Sequence, residues 1–301
     1  MNGNSLDVKI GINPISWAND DLPELGDDTP LEKILSEGAQ IGYQGFELGN
    51  KFPKEPEALR KVLAQYGVEL VSGWYSGELA RRSVEEEIKA VDSHLRLLSS
   101  NGAKVMVYGE VADSIQGKRS IALSQRPQFA GDAQWHEYAQ KLDAFAHYTL
   151  SRGIGLAYHH HMGAYVETVG DVDRLMSLTG PDVGLLFDSG HIAFAGGDPL
   201  DVLKRHITRV CHVHCKDVRA EVVREARMRD WSFLDSVLKG VFTVPGDGSV
   251  DFAVLLQVLR DHDYRGWLVV EAEQDPALAP SYQYAQMGFR HLTELKRSLE
   301  R

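Results

Sequence analysis

The sequence predicts a single α/β domain folded as a closed (β/α)8 barrel. Three observations carry this. Eight short apolar runs alternate with segments of helical period along the chain, and such alternation implies parallel strands joined by crossover helices. The 301 residues are close to the ~250 that one such barrel occupies. No Gly/Ser-rich linker or composition break divides 1–301. No Gly-x-Gly-x-x-Gly follows the first strand, which weighs against an open dinucleotide-binding sheet.

The elements follow in order. Val8 to Asn13 reads as the first strand. Thr29-Pro30-Leu31-Glu32 has the form of a capping box with proline in the first turn, and predicts a helix start. Leu31, Ile34, Leu35 and Ile41 continue at helical spacing, and Phe46-Glu47-Leu48 is a second strand. A helix over 55–66 leads to a third strand, Glu69 to Trp74. Ser83-Val84-Glu85-Glu86 is another capping box, followed by Val84, Ile88, Val91, Leu95 and Leu98 on one helical face. Asn101-Gly102 stops that helix, and Lys104 to Tyr108 is the fourth strand, ending at Gly109-Glu110.

The stretch 111–133 is polar and irregular, and loops of that length are usually functional or mobile. A helix over 134–151 feeds the fifth strand, Gly155 to Tyr158. Thr168 to Leu178 forms a helix before the sixth strand, Val183 to Phe187, and Pro199 to His206 another before the seventh, Val210 to Val213. A second long insertion, read as a loop, runs over 217–250 and carries Arg224, Arg227 and Arg229, which read as a solvated helix face. Phe252, Leu255, Leu256 and Leu259 mark the next helix, and Gly266 to Val270 the eighth strand. A last helix carries Tyr282, Phe289, Leu292 and Leu295.

Bulk properties narrow the partners. A net charge of −11 argues against nucleic acid, whose phosphates want a basic surface. No apolar run approaches the ~20 residues of a membrane span. Met1 to Leu6 is polar and lacks a signal-peptide core. The two cysteines, Cys211 and Cys215, share one strand, roughly 13 Å apart at ~3.3 Å rise per residue, too far to bridge. A reducing cytoplasm is the expected setting. A small-molecule substrate and a homo-oligomer are both compatible with this composition.

The chemistry concentrates at strand ends, which in such a barrel face the active site. The fifth strand ends in His159-His160-His161, the sixth in Asp188-Ser189-Gly190-His191, the seventh in His214-Cys215-Lys216-Asp217 and the eighth in Glu271-Ala272-Glu273. Strand parity pairs His212 with His214, and puts Cys211, Val213 and Cys215 on the opposite face. It also pairs His159 with His161 and Glu271 with Glu273, so each pair offers two candidates for one role. One ligand per strand makes His159, Asp188, His214 and Glu271 a metal site. Imidazole with carboxylate suits Mn²⁺, Co²⁺, Fe²⁺ or Zn²⁺ better than Ca²⁺. Asp188 has a rival reading as the cap of the turn after it. His191, Lys216 and Glu273 are the catalytic candidates, for proton transfer and for steadying charge on a substrate oxygen. Glu47 and Glu110, at the ends of the second and fourth strands, join Trp17, Trp74 and His161 as substrate-side candidates.

Taken together, Asp188-x-x-His191, His214-x-Lys216-Asp217 and Asp263-Tyr264-Arg265-Gly266 leading to Glu271 resemble the xylose-isomerase-like TIM-barrel superfamily. Three longer strings, residues 13–21, 158–163 and 240–248, are similar to the inosose dehydratase family within it. The similarity runs over nearly the whole chain. It implies a metal ligand on each of strands five to eight, which matches Asp188, His214 and Glu271. The family's fifth-strand ligand is usually glutamate, and the matching position here is His159. The resemblance further implies Mn²⁺ or Co²⁺ dependence, with glutathione as a family cofactor. The expected reaction is loss of water from 2-keto-myo-inositol (scyllo-inosose) in myo-inositol catabolism, by way of an enediolate. A sugar isomerase or epimerase working through the same enediolate is the alternative.

Overall fold

The computed structural model describes residues 5–300, so the polar N-terminal segment up to Asn4 lies outside the described residues. Eight parallel strands close into a barrel. They are β1 (Val8–Ile12), β2 (Gly45–Leu48), β3 (Glu69–Gly77), β4 (Val105–Glu110), β5 (Gly155–His159), β6 (Val183–Asp188), β7 (Val210–Cys215) and β10 (Gly266–Val270). Their order round the barrel is β1-β10-β7-β6-β5-β4-β3-β2. The helices between them are α1 (Leu31–Ile41), α2 (Pro56–Tyr66), α3 (Val84–Ser100), α4 (Asp132–Ser151), α5 (Val169–Leu178), α6 (Ser189–Phe194), α7 (Pro199–His206), α10 (Phe252–Asp261) and α11 (Ser281–Leu299). Among the described residues, no helix is long and apolar enough to cross a membrane.

Two apolar layers hold this together. Strand residues such as Ile10, Phe46, Leu156 and Leu268 face the helices and pack on Leu35, Leu98, Phe145 and Leu256, all buried. Inside the barrel a small plug of Val107, Ala157 and Leu186, with Trp74, Val105 and Cys211 against it, closes the interior. Apolar contact on both faces explains why the strands read as near-continuous apolar runs. The plug leaves the polar strand ends as the open end of the barrel.

Helix starts follow local chemistry. Ser83 caps α3: its Oγ accepts from the Glu86 N–H at 3.2 Å, and Glu86 returns a bond to the Ser83 N–H at 2.8 Å. The box expected at Thr29 does not form. Pro30 occupies the N-cap in extended conformation, with no side-chain cap bond. The helix therefore starts one residue late, which takes Thr29 out of register with the first free N–H groups.

Two further expectations change. The segment 217–250 is folded rather than a loop. β8 (Asp217–Val218) pairs antiparallel with β9 (Phe242–Thr243), enclosing α8 (Ala220–Arg229) and α9 (Phe233–Leu238). Phe194, Val218, Phe233, Leu234, Val237 and Phe242 give it an apolar cluster. Asp217 ties it down by accepting the backbone N–H groups of Val218, Gly246, Gly248 and Val250 at 2.8–3.1 Å. The second change is Cys211. The β6–β7 ladder slips between Leu185 and Leu186, so that Val210 and His212 are paired and Cys211 is not. A bulge resets side-chain parity. Cys211 consequently joins the interior plug, while Cys215 faces the helix layer as expected. Gly184 makes the room, since a Cβ there would lie 2.2 Å from the Cys211 sulfur. Both thiols are free.

Candidate metal centre and cavity

Four strand ends converge. His159 ends β5, Asp188 ends β6, His214 lies in β7 and Glu271 follows β10. The ladder sets Asp188 opposite His214 and His214 opposite Val269. One ligand atom from each of His159, Asp188, His214 and Glu271 lies within 4.8 Å of the others, and all four residues are buried. His159 Nε2 is 3.4 Å and His214 Nδ1 3.5 Å from Asp188 Oδ2, and His214 Nδ1 is 2.5 Å from Glu271 Oε2. The capping reading of Asp188 is met by one of its two oxygens. Oδ1 accepts the His191 N–H at 2.8 Å and caps α6, which leaves Oδ2 for the cluster.

The donor set fits a divalent transition metal. Asp188 Oδ2, His214 Nδ1 and Glu271 Oε2 are buried and make no hydrogen bond. The Lys216 ammonium, 3.4 and 3.2 Å from the two carboxylate oxygens, balances part of their charge, and the coordination left open suits a second cation. Two imidazoles and two carboxylates suit Mn²⁺, Co²⁺, Fe²⁺ or Zn²⁺. Burial raises the Glu271 carboxyl, but His214 and Lys216 outweigh it and hold the group at about 2. Burial opposes the charge on Asp188 too, and Lys216 and His191 bring it well below the usual range.

Beneath the cluster lies a second polar layer. Glu47 Oε1 accepts from His212 Nε2 at 2.8 Å, His214 Nε2 at 3.1 Å and the Ser72 hydroxyl at 2.6 Å. Its Oε2 accepts from Asn13 Nδ2 at 2.7 Å, and the same amide nitrogen reaches Glu271 Oε1 at 3.1 Å.

Beside the cluster sits Lys216, fully buried. Its Nζ donates to Glu273 Oε1 at 2.9 Å, lies 3.2 Å from Glu271 Oε2 and 3.4 Å from Asp188 Oδ2, and rests over the Phe242 ring. Burial works against this charge, but Asp188, Glu271 and Glu273 outweigh it and raise the pKa above the ordinary lysine value. Gly190 lets α6 approach: a Cβ there would lie 2.4 Å from the Lys216 stem. Burial pushes the Glu273 carboxyl up to about 7 against the pull of Lys216.

The His161 and His191 rings lie 4.1 Å apart, tilted 42° to each other, and share one backbone residue. The Met162 N–H donates to His191 Nδ1 at 3.2 Å, and the Met162 carbonyl accepts from His161 Nδ1 at 2.8 Å. The two neutral rings therefore hold opposite tautomers. His191 carries its proton on Nε2, 3.9 Å from Glu273 Oε1. His161 presents a bare Nε2. Burial lowers the pKa of both rings, His161 to about 3. Phe233, from the folded insertion, packs on both rings.

A cavity of about 480 Å³ opens onto this end of the barrel, within the ~300–1,000 Å³ of small-molecule sites. His159, Lys216, Glu271, Glu273 and Asn13 line its floor, with Trp74 and His161 on the wall. Trp17, Glu47 and Glu110, expected to face substrate, lie off that wall. The Trp17 indole donates to Glu37 at 2.6 Å, and Glu47 is spent in the layer below. Glu110 accepts from the Ala80 and Ala112 N–H groups and the Tyr108 hydroxyl. A strand-end position says that a side chain is near the rim, not which neighbours claim it. The cavity also draws on Asp21, Lys54 and His94, which sequence reading missed. Lys54 and His94 sit in a loop and on a helix, where no strand-end signal exists. Asn13 follows β1 directly, and that signal was available.

Comparison with known proteins places this geometry. The family model described as xylose isomerase-like TIM barrel matches residues 35–295. The rhizopine catabolism protein MocC of Rhizobium meliloti is 53% identical over 290 residues, 96% of this chain and 89% of that protein. An inosose dehydratase of Clostridium perfringens is 43% identical over 288 residues, 95% of this chain and 97% of the relative. Among solved structures, the probable 3-DHS dehydratase AsbF of Bacillus anthracis superposes with a TM-score of 0.68 at 14% identity, covering 95% and 98% of the two chains. IolI with a bound zinc superposes with a TM-score of 0.65 at 15% identity, covering 97% of each. At such identities the structural likeness is one of fold.

Proposed function

The chain belongs to the xylose isomerase-like TIM barrel family, beside the inosose dehydratases, and on that footing we propose that it is a metal-dependent hydro-lyase. It removes water from 2-keto-myo-inositol to give a trihydroxycyclohexane-dione. The observation that carries this reading is the quartet His159, Asp188, His214 and Glu271, whose ligand atoms lie within 4.8 Å of one another beside the cavity that His159 and Glu271 line. Mn²⁺ or Co²⁺ is the proposed occupant. A cation held there supplies Lewis acidity, which makes the C–H beside the ketone acidic enough to lose.

The chain's own groups do the rest. Glu273 reaches the cavity with Oε2 free of hydrogen bonds, and accepts the carbon-bound proton. Lys216 donates toward the oxygen on which negative charge develops. The neighbouring C–O bond then breaks, and the proton on Glu273 passes to the departing hydroxyl, which leaves as water. His191, whose Nε2–H faces Glu273, steadies that carboxylate. The bare Nε2 of His161 accepts a bond from a ring hydroxyl. Trp74 offers an apolar wall to the ring's C–H face.

The experiment is to incubate Mn²⁺-loaded protein with 2-keto-myo-inositol and follow dione absorbance together with the mass of the product. Dehydration is expected. Recovery of an epimerised ketone would replace this reading by the isomerase alternative, and unchanged substrate with either metal would end it. The 53% identity to a rhizopine catabolism protein exceeds the 43% to the dehydratase, which favours a second reading: the same chemistry on an intermediate of rhizopine catabolism. A higher kcat/KM on such an intermediate would select it.

A further inference from the structure

We propose that Glu47 is the positioning residue of the metal centre: it sets which nitrogen of His214 faces the cation and, through Asn13, where Glu271 points. This rests on the reading of His159, Asp188, His214 and Glu271 as metal ligands.

An ionised carboxylate only accepts, and four donors close on Glu47 at 2.6–3.1 Å, from His212, His214, Ser72 and Asn13. Glu47, Ser72, His212 and His214 are all buried, which shields the bonds among them from solvent. His214 must therefore keep a proton on Nε2, the nitrogen aimed at Glu47. As a metal ligand the ring keeps one proton only, so Nδ1 is the nitrogen left to bind. That nitrogen is the one 2.5 Å from Glu271 Oε2 and 3.5 Å from Asp188 Oδ2, close enough for all three to share one cation. Without Glu47 nothing holds the ring's single proton on Nε2, and on Nδ1 it would stand between His214 and Glu271, where the cation has to enter. Asn13 carries the same constraint to the second ligand, since one amide nitrogen spans Glu47 Oε2 and Glu271 Oε1. His159 has no such support, because its Nδ1 is buried without a partner.

His212 supplies the control. It binds the same oxygen of Glu47 as His214 does and lies outside the quartet and the cavity wall. Its ligand atom also lies within 4.8 Å of those of Glu47 and His214, so an equal loss in the two variants would mean that these three hold the metal. The test strips the full-length protein of metal and titrates Mn²⁺ by calorimetry into wild type, Glu47→Gln and His212→Gln. Outer carboxylate partners of metal-bound histidines typically contribute about 10–100-fold in metal affinity. Glu47→Gln is expected to lose that much, and His212→Gln less than a tenth of it. Equal losses in the two variants, or none in Glu47→Gln, would overturn the proposal. Since Glu47→Gln can fail to fold, a second measurement uses wild type alone. Nitrogen NMR of ¹⁵N-histidine-labelled, Zn²⁺-loaded protein should show His214 bound through Nδ1 with the proton on Nε2. Coordination through Nε2 overturns the proposal. A wild-type chain that binds neither Mn²⁺ nor Zn²⁺ overturns both it and the metal reading beneath it.

Discussion

At the mouths of β5, β6, β7 and β10, buried acids and histidines crowd their ligand atoms together; at the mouths of β2 and β4, buried glutamates spend theirs on hydrogen-bond donors. Glu271 and Glu47 make the contrast concrete. Both are buried carboxylates at strand ends, and neighbouring histidines draw both below the usual range despite burial. Yet Glu47 is met by four donors, while Glu271 Oε2 makes no hydrogen bond. Glu110 repeats the early pattern, with two N–H groups and a hydroxyl on its oxygens. Burial and charge do not tell these two carboxylates apart. The partner list does, because a lone pair already holding a proton donor has nothing left for a cation.

The sharpest way to break this contrast is to exchange charge for shape at the bare side. Glu271→Gln should abolish metal-dependent turnover while circular dichroism reports an intact fold; retained turnover would remove Glu271 from the ligand set. Lys216→Met comes next. Its kcat should fall on the order of 10²–10³-fold, as when one preorganised donor to a developing oxyanion is removed. Its Mn²⁺ affinity should not weaken, because a competing cation leaves the carboxylates. Weaker Mn²⁺ binding would make Lys216 a structural member of the centre instead.

On the satisfied side the effects are thermodynamic. Burial pushes the Glu110 carboxyl up to about 7, although two N–H groups and a tyrosine hydroxyl pull it down. In the unfolded chain it titrates near ~4.3. The folded protein therefore holds this proton more tightly, so the stabilisation is full below the unfolded value. It is lost as pH rises through about 7. Relative to Glu110→Gln, wild type should lose up to about 3 kcal/mol between pH ~4.5 and ~7 by urea denaturation. Parallel stability profiles for the two proteins would show that the hydrogen bonds win over burial. Smallest of all, Ser83→Ala at the α3 cap should cost ~1 kcal/mol and leave kcat/KM unchanged. A change in turnover would tie the outer helix layer to the site.

Much of this was legible before any coordinates. Apolar runs marked the eight strands, Ser83 with Glu86 marked a helix start, and four strand ends nominated His159, Asp188, His214 and Glu271. Parity reasoning left each of His159 and Glu271 with a rival. The structure brings His161 and Glu273 together in a neighbouring cluster with His191, beside the quartet rather than within it. Parity failed at Cys211 because a bulge is a disagreement between two strands, invisible in either alone. Thr29 failed as a cap because Pro30 shifted the helix by one residue.

From sequence alone come the barrel, the rim and the residue types on it, because periodicity and strand-end position are local properties of the chain. Only the folded molecule decides that Glu47 is met by four donors while Glu271 Oε2 makes no hydrogen bond, and that 217–250 lays Phe233 and Phe242 against the site. The physical reason is that a polar atom's role depends on which partners reach it. Here those partners are as much as 258 residues away along the chain.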